Sequence, residues 1–316
     1  MLNSLLQAAI IVNILASTVR IATPLLLGAM GELVTERSGV MNLGIEGTML
    51  MSSFIAFLVA FETNSIPMAI GAAMLAGALM STIMAFMAST MKVDQTVTGL
   101  SLNLLASGIS LFWYRVAFKG TNTESIPTIQ TMGTIKIPIL GDIPYIGEIF
   151  FNQGFLTYLA FIMVPVIAFF LYRTYTGLAI RSLGENPRAV DMKGINVTRL
   201  QYMSVIFGGI MSGLAGSFIT IGTTVRFLPE ISAGRGWLAL VIVIAGNWRA
   251  GRILLAALLF AFMDAFQLQL QGIGIQIPFQ ILLAAPYILA IVVLMGSRAR
   301  SLAPRNLGVP YIREEG

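Results

Sequence analysis

Few residues in this chain could carry out chemistry, and their types narrow the choice of function. The 316 residues include no histidine and no cysteine, which excludes thiolate nucleophiles, disulfides and the usual zinc sites. An intramembrane enzyme would need a nucleophile with an adjacent base, and neither residue type is there to supply one. No G-x-x-x-x-G-K-[ST] pattern occurs, so ATP is not bound through a P-loop. We therefore expect no catalytic residues, no metal site and no cofactor.

Carboxylates within apolar stretches are the next candidates for chemistry. Glu32, Glu46 and Asp264 lie among apolar residues, where a charge is costly and usually marks a functional site. A proton- or sodium-coupled carrier would use Glu46 and Asp264. An ion-coupled secondary carrier or channel is therefore one hypothesis, and a passive permease driven by a separate ATPase is the other.

Side-chain amides could bind an uncharged, hydroxyl-rich solute. An amide or a carboxylate can hydrogen-bond a sugar hydroxyl or the edge of a base without requiring a charged substrate. The predicted pathway residues are Asn42, Glu46, Asn103, Gln267 and Gln271. The two glutamines share a helix face at i, i+4. The alternative is that these residues only hydrogen-bond between helices, which is worth about 0.6 kcal/mol on average.

Composition indicates which elements must position these residues. Hydrophobic residues make up 57% of the chain and charged residues 10%, with a mean hydropathy of +0.86, whereas a soluble domain has about 25% charged residues. The cations lie in loops beside apolar runs, so the net charge of +5 does not indicate a nucleic-acid partner. The chain is predicted to be an all-α polytopic membrane protein surrounded by membrane lipid.

Apolar segments predict about nine transmembrane helices with one long loop. The segments cover approximately residues 5–30, the interrupted segment that begins at 31–50, 66–89, 97–118, 155–173, 200–222, 237–247, 253–271 and 278–296. The 237–247 segment is short for a crossing of roughly 20 residues, so we expect it to be extended or partly broken. Prolines and Ile/Thr alternation in residues 119–153 predict an ordered external loop with a short strand pair or an interfacial helix.

Residues 31–50 differ from the other apolar segments because four glycines and four ionisable side chains interrupt them. Helices interrupted at membrane depth are tolerated where they are buried in protein or line a cavity. We predict a broken helix here, near the translocation path. The alternative is a loop followed by an ordinary span that starts near Leu43.

Residues 177–199 form the longest charged interruption between apolar runs. Gly184 can end one helix there. The pattern then predicts a short helix from Pro187 to Lys193, with Asn186 as its N-cap and Gly194 as its stop. The alternative is an ordinary cytoplasmic loop that follows the positive-inside rule.

The distribution of cations predicts the orientation in the membrane. If the 177–199 loop is cytoplasmic, alternation places 13 of the 19 lysines and arginines on that side and four on the other. The positive-inside rule then predicts a cytoplasmic C-terminus and an external N-terminus.

Two sequence blocks resemble the integral-membrane permease subunits of bacterial ABC importers. The resemblance is to the group that serves branched-chain amino acids, ribose and other simple sugars, and nucleosides. The first block is GELVTERSGVMNLGIEGTMLMSSF (31–54), which is similar to permeases paired with basic-membrane-lipoprotein-type receptors. The second is GLAIRSLGENPRAVDMKGINVTR (177–199), followed by GGIMSGLAGSF (208–218), which is similar to their coupling loop and the next span. Together the blocks cover about a fifth of the chain.

The resemblance implies a type II ABC importer-like fold in which residues 1–316 form a single transmembrane permease domain. In this arrangement residues 119–153 are an external loop and residues 177–199 are the cytoplasmic loop that couples to an ABC ATPase. Such loops carry a Glu-Ala-Ala…Gly pattern, and here Arg188 takes the acidic position, so the acid's salt bridge is not implied. The implied coupling residues are Gly184, Glu185, Asn186, Pro187, Arg188, Ala189, Asp191 and Gly194.

The resemblance also implies partners and a location. ATP would be hydrolysed in partner ATPase subunits, and a second homologous permease subunit would complete the pathway, as a homodimer or a heterodimer. An extracellular or periplasmic substrate-binding lipoprotein would dock on the 119–153 loop and on the loop from Arg226 to Arg235, which could instead be solvated with local ion pairs. The expected substrate is a nucleoside first and a simple sugar second, imported by alternating access across the bacterial cell (inner) membrane.

Overall fold

The computed structural model describes residues 8–118, 127–272, 279–297 and 302–312, and these are almost entirely helical. The helices of the first half are α1 (Ala8–Arg37), α2 (Ile45–Thr63), α3 (Ile66–Ala85), α4 (Gln95–Ala117) and α5 (Ile146–Phe150). Those of the second half are α6 (Phe155–Arg173), α7 (Tyr175–Glu185), α8 (Pro187–Asp191), α9 (Val197–Ser217), α10 (Arg235–Ala245), α11 (Ala250–Gly272) and α12 (Phe279–Ser297). Short π-helical segments extend α3 and α9 through Phe86–Thr90 and Phe218–Thr224.

Seven of these helices are long and apolar enough to cross a membrane, and two further apolar stretches are shorter. The seven are α1, α2, α3, α4, α6, α9 and α11, with α3 and α9 counted together with their π-helical extensions. The shorter stretches are α10 and residues Ala284–Val293 of α12. The predicted all-α polytopic membrane protein is confirmed, and the 237–247 segment is indeed a short helix, extended by Arg235 and Gly236 at its start.

Glycines bring the central helices into close contact. A Cβ built on Gly77 of α3 would lie 2.1 Å from the carbonyl oxygen of Gly209 in α9. Similarly, a Cβ on Gly216 would lie 2.3 Å from the Met49 carbonyl oxygen of α2. Because no larger residue fits at these contacts, α9 packs with its backbone directly against its neighbours, as small residues permit in membrane bundles.

The predicted broken helix takes a different form from the one expected. Residues 31–37 belong to α1, which runs without interruption to Arg37. The break is confined to residues 38–44, and α2 begins at Ile45. The glycine-rich pattern therefore marks a link between two helices, close to the alternative start near Leu43.

One end of the bundle carries the long loop. Strands β1 (Thr134–Lys136) and β2 (Asn152–Gly154) pair antiparallel, and α5 lies between them in sequence. The predicted strand pair is confirmed, while residues 119–126 of the predicted loop lie outside the described residues. The loop is tied to the π-helical end of α9, since Met132 N–H donates to the Ile221 carbonyl oxygen at 3.0 Å. We call this the loop end.

The opposite end gathers the remaining connections and residues 302–312, and we call it the tail end. Arg37 at the end of α1 donates to the Trp248 carbonyl oxygen at 2.8 Å. In the link after α1, the Met41 N–H donates to Gln95 Oε1 at 2.7 Å. Asn306 N–H donates to the Gly184 carbonyl oxygen, also at 2.8 Å. The turns that follow α1, α3, α7 and α10 therefore share one end, as the predicted alternation of loops requires.

Candidate translocation and coupling sites

The second helix begins inside the bundle rather than at its end. A Cβ built on Gly28 of α1 would lie 3.6 Å from Ile45 Cδ1 and 3.3 Å from Ala239 Cβ. Gly28 lies about 13 Å from Arg37 along α1, at the usual rise of about 1.5 Å per residue. The 38–44 link therefore re-enters the bundle from the tail end. Irregular backbone at this depth is stable only where protein groups satisfy its hydrogen bonds.

Glu46 joins the start of α2 to the start of α10. Its Oε1 accepts the N–H of Gly234 at 2.9 Å and its Oε2 accepts the N–H of Gly236 at 2.6 Å. The first N–H groups of a helix lack intrahelical partners and carry partial positive charge, so a carboxylate is favoured there. Glu46 is only 9% exposed, and within the described part of the chain its carboxylate is satisfied by these two backbone N–H groups.

Asn103 and Asn42 hold the other side of the break. Asn103 of α4 accepts the Gly47 N–H at 2.7 Å through Oδ1 and donates to the Leu43 carbonyl oxygen at 2.9 Å through Nδ2. Asn42 Oδ1 accepts the Gly44 N–H at 3.1 Å. The structure therefore brings together Asn42, Glu46 and Asn103 at the start of α2. The two asparagines bond to the backbone of residues 43–47, and Glu46 bonds to the backbone at the start of α10.

Glu32 completes this group and was not among the predicted pathway residues. Its Oε1 accepts the backbone N–H of Asn42 at 3.2 Å. Its Oε2, like Nδ2 of Asn42, is buried without a hydrogen-bond partner among the described residues. The sequence identified Glu32 as a carboxylate within an apolar stretch. No local sequence pattern predicted its hydrogen bond to Asn42 in the 38–44 link.

Gln267 and Gln271 lie elsewhere, on α11. Gln267 is 6% exposed, and its Oε1 has no hydrogen-bond partner within the described part of the chain. It lines a cavity of about 370 Å³ together with Asp264, Arg235 and Thr224. Gln271 Nε2 is also buried without a described partner. The five predicted pathway residues therefore form two groups.

The turn that leads into α10 lies between the two groups. Gly234 and Gly236 contact Glu46, whereas Ala233 and Arg235 line the cavity that holds Gln267. Arg235 is held in place because its Nη1 donates to the carbonyl oxygens of Ile231 and Ser232, each at 3.2 Å. Any shift of this turn would change both groups together.

The predicted short helix in the 177–199 segment is present, but it ends at Asp191, two residues before the predicted Lys193. Asn186 caps α8, with its Oδ1 accepting the Ala189 N–H at 3.1 Å, and Pro187 is the first helical residue. Gly194 has a φ of +76° in the turn that follows. The predicted N-cap and the glycine turn are confirmed, but α7 continues through Gly184 to Glu185, so Gly184 does not end a helix.

Gly184 instead permits a close contact at the tail end. A Cβ built on it would lie 2.5 Å from the Arg37 carbonyl oxygen and 3.0 Å from Pro304 Cβ. The next residue, Glu185, is exposed, and its Oε2 lies 4.0 Å from Arg305 Nε. The last turn of α7 is therefore packed directly on the end of α1.

The short helix α8 presents one face outward. Pro187 and Val190 are buried, while Arg188, Ala189 and Met192 are exposed. Asp191, on the flank, accepts a hydrogen bond from the Tyr311 hydroxyl at 3.0 Å. The buried side packs on the bundle, and the exposed side faces away from it.

The C-terminal segment 302–312 ties the tail end together, which no sequence pattern indicated. Gly308 N–H donates to the Gly39 carbonyl oxygen at 3.0 Å, in the link before α2. Leu302 N–H donates to Asn247 Oδ1 at 2.6 Å, in the turn after α10. With the bonds to α7 and α8, this segment connects the short helix to both irregular segments.

Comparison with known proteins identifies the type of molecule. The family described as "Branched-chain amino acid transport system / permease component" matches residues 14–296. The chain belongs to this family of ABC transporter permeases. No solved structure matches the permease.

Three relatives of the permease are similar over most of their length. The guanosine ABC transporter permease protein NupQ of Bacillus subtilis is 38% identical over 309 residues, which are 95% of this chain and 96% of the relative. The nucleoside ABC transporter permease protein NupC of Lactococcus lactis subsp. cremoris is 32% identical over 96% and 97% of the two chains. TsgC13 of Haloferax volcanii, provisionally named a glucose ABC transporter permease protein, is 36% identical over 83% and 79%.

Family membership decides between the two hypotheses from the sequence. The chain is a multi-pass membrane permease component of an ABC transporter and not an enzyme, and ATP hydrolysis in such a system is carried out by separate ATPase subunits. The ion-coupled secondary carrier that would use Glu46 and Asp264 is therefore set aside. The geometry agrees, because the Glu46 carboxylate already binds two backbone N–H groups.

Proposed function

We propose that this permease imports a nucleoside by alternating access, driven by ABC ATPase subunits that dock on α8. The observation that carries this proposal is the construction of α8. It is a capped short helix with a buried side on the bundle and an exposed side formed by Arg188, Ala189 and Met192. A short, firmly held helix can transmit a rigid-body movement, whereas a loose loop would absorb it.

Contacts lead from α8 to the break before α2. The C-terminal segment bonds to Asp191 of α8 and, through Gly308, to Gly39 in the link. The same link contains Asn42, whose side chain accepts the N–H of Gly44 just before α2. We infer that ATPase movements reach Glu46 and the start of α10 along this route. Spatial continuity supports the route, and measured coupling must establish it.

The polar residues divide into two proposed roles. Glu46 and Asn103 shape the path, because their polar atoms hold the backbone of the break. Asn42 Nδ2, Gln267 Oε1 and Gln271 Nε2 lack partners among the described residues, so they are the groups that would hydrogen-bond a solute when the helices move apart. A neutral, hydroxylated solute suits amide donors and acceptors.

The names of the relatives favour a nucleoside and leave a simple sugar as the second candidate. NupQ and NupC are named for guanosine and nucleosides, while TsgC13 is provisionally named for glucose. The amide groups suit either solute, since both present hydroxyls. Competition between the two classes of solute will therefore decide the substrate.

Orientation, domain organisation and partners form part of the same proposal. The tail end faces the cytoplasm, because the loops with most of the cations meet there. Residues 1–316 act as one permease domain that pairs with a second homologous permease subunit. A substrate-binding lipoprotein docks at the loop end, on the described part of the 119–153 loop and the turn around Glu230.

Uptake assays test the proposal. Cells that produce the permease with and without candidate ATPase and receptor partners are given labelled guanosine or ribose, and competing unlabelled solutes are added in turn. We expect saturable uptake that needs the partners and ATP, and that is competed by nucleosides. A Gln267→Leu variant should reduce uptake at low solute concentration more than at saturation.

Two outcomes would contradict the proposal. Uptake by the permease alone that disappears when the ion gradient collapses would indicate a secondary carrier. If sugars compete for uptake and nucleosides do not, the permease is still an importer subunit, but its substrate is a sugar and not a nucleoside. A Gln201→Leu variant is the control for Gln267→Leu, since Gln201 of α9 is 6% exposed, as Gln267 is, and is not one of the predicted pathway residues.

A further inference from the structure

A cleft of about 800 Å³ opens at the tail end, and neither the sequence motifs nor the proposed transport path accounts for it. It lies where α1 and α6 end and α11 begins, beside α7, and Leu302 and Ala303 of the C-terminal segment form one wall. Since these are the ends of apolar spans, the cleft lies at the depth of lipid headgroups.

The cleft is strongly basic. Its walls include four arginines and one glutamate, which together carry a net charge of +3. These residues are Arg37, Arg181, Arg249, Arg305 and Glu185. Arg305 and Glu185 are 4.0 Å apart with side chains that are 88% and 47% exposed, so this pair neutralises little of the charge. The remaining arginines create an anion-attracting site.

Arg37, in the cleft wall, has a hydrogen-bond donor without a partner among the described residues. Its side chain is 8% exposed, and one Nη donates to the Trp248 carbonyl oxygen. Its Nε is buried and has no hydrogen-bond partner among the described residues. A buried guanidinium with an unmet donor is costly, and an anion in the cleft would reduce that cost.

Two further features favour an anion with several oxygens. Ala250 and Gly251, which line the cleft, are the first residues of α11, so their N–H groups lack intrahelical partners. Arg181 is fixed in direction, because its Nε donates to the Leu171 carbonyl oxygen at 2.9 Å and its guanidinium lies 4.7 Å from the centre of the Tyr172 ring.

We propose that this cleft binds a phosphate group, carried by an anionic phospholipid of the surrounding leaflet or by a soluble phosphate compound. Guanidinium groups and helix N-termini both match phosphate oxygens, and basic pockets between transmembrane helices suit lipid phosphates. The volume of about 800 Å³ is larger than a single carboxylate side chain from a partner would fill. The site is separate from the transport path, so it does not depend on the identity of the transported solute.

The test measures binding to the complete complex purified in an uncharged detergent. The probes are phosphatidylglycerol, phosphatidylcholine, inorganic phosphate and guanosine monophosphate, with the shift in unfolding midpoint and native mass spectrometry as readouts. The variants are Arg249→Gln, in the cleft just before α11, and Arg252→Gln, an exposed arginine in the first turn of α11 that is not part of the cleft wall. We expect saturable binding of a phosphate probe that weakens about tenfold in Arg249→Gln, the typical effect of one charge-assisted hydrogen bond.

The probes distinguish the source of the phosphate. Saturable binding of phosphatidylglycerol without a response to the soluble anions identifies a lipid, whereas a response to phosphate or guanosine monophosphate identifies a soluble ligand. Either result supports the site. Equal effects of Arg249→Gln and Arg252→Gln, or no saturable binding in the complex, would overturn it, and the second result would mean that a partner subunit fills the cleft.

Discussion

At the scale of single residues, the polar side chains inside this bundle mainly satisfy backbone groups. Glu46 binds the N–H groups of Gly234 and Gly236, and Asn103 binds both the donor and the acceptor that flank the start of α2. Lipid cannot hydrogen-bond exposed backbone, so irregular segments at depth need such side chains. A polar residue within a span is therefore evidence of a break nearby as much as of a bound solute.

Replacing Glu46 by alanine tests this role. The change leaves the buried N–H of Gly236 and the partly buried N–H of Gly234 without an acceptor, so we expect the free energy of unfolding to fall by about 2–4 kcal/mol. Glu62→Ala is the control, because Glu62 is an exposed carboxylate at the opposite end of the same helix. Thermal unfolding of the purified variants measures the difference. Equal unfolding midpoints for the two variants would show that the Glu46 carboxylate does not hold α10.

Residue types could be predicted from the sequence, whereas their partners could not. Glu46 and Asn103 stand out because charged and amide groups are rare within apolar runs. The partners of Glu46 are 188 and 190 residues away, and no local pattern specifies a contact over that distance. The position of the break has a similar explanation, since the glycines of the 31–50 segment predict irregular backbone but do not fix where α1 ends.

At the scale of helices, close backbone contact determines the packing. Gly77 of α3 and Gly209 of α9 meet where a Cβ would lie 2.1 Å from a carbonyl oxygen. Bilayer spans lack a hydrophobic force that drives them together, so tight van der Waals contact at small residues contributes much of their association. The glycines of α9 therefore allow the close approach of the central helices.

Two glycine-to-alanine changes in α3 should have opposite effects. Gly77→Ala forces α3 away from α9, so we expect a loss of about 1–3 kcal/mol in the free energy of unfolding. A Cβ on Gly71 meets nothing within 4 Å, and alanine there favours the helix by up to about 1 kcal/mol. Thermal unfolding of the two variants provides the comparison. A stabilised Gly77→Ala variant would contradict the packing described here.

Local signals predicted some elements better than others. Asn186 and Pro187 are adjacent residues whose types together mark the start of a helix, so the cap of α8 was predictable from the sequence. The role of the C-terminal segment was not, because its bonds join backbone groups of Gly39 and Gly184 to residues near the end of the chain. Backbone hydrogen bonds of this kind require no particular side chain and leave no sequence pattern.

At the scale of the whole molecule, the tail end combines the proposed ATPase contact with the start of the proposed path. The short helix α8, the 38–44 link and the turn after α10 are joined there by residues 302–312. The basic cleft lies beside them. A movement imposed on α8 would therefore act on several helices at once, which is what a permease without its own ATP site requires.

The turn after α8 offers the sharpest test of this coupling. Gly194 has a φ of +76° and its N–H donates to the Asp191 carbonyl oxygen at 2.8 Å. Proline has a fixed negative φ and no N–H, so it can provide neither. Alanine can adopt the positive φ at a cost of about 1–2 kcal/mol. We expect Gly194→Pro to abolish partner-dependent uptake and Gly194→Ala to reduce it partially, with the permease still inserted in the membrane at normal levels.

Arg188→Glu, which reverses a charge on the exposed face of α8, should also impair uptake. Gly133→Pro, at an open position in the loop end, is the control for assembly, and the ATPase should still co-purify with it. Its uptake is not compared, because the lipoprotein is proposed to dock on this loop. Normal ATP-driven uptake in both Gly194→Pro and Arg188→Glu would show that the ATPase does not act through α8, and the exposed surface of the C-terminal segment would then be the next candidate.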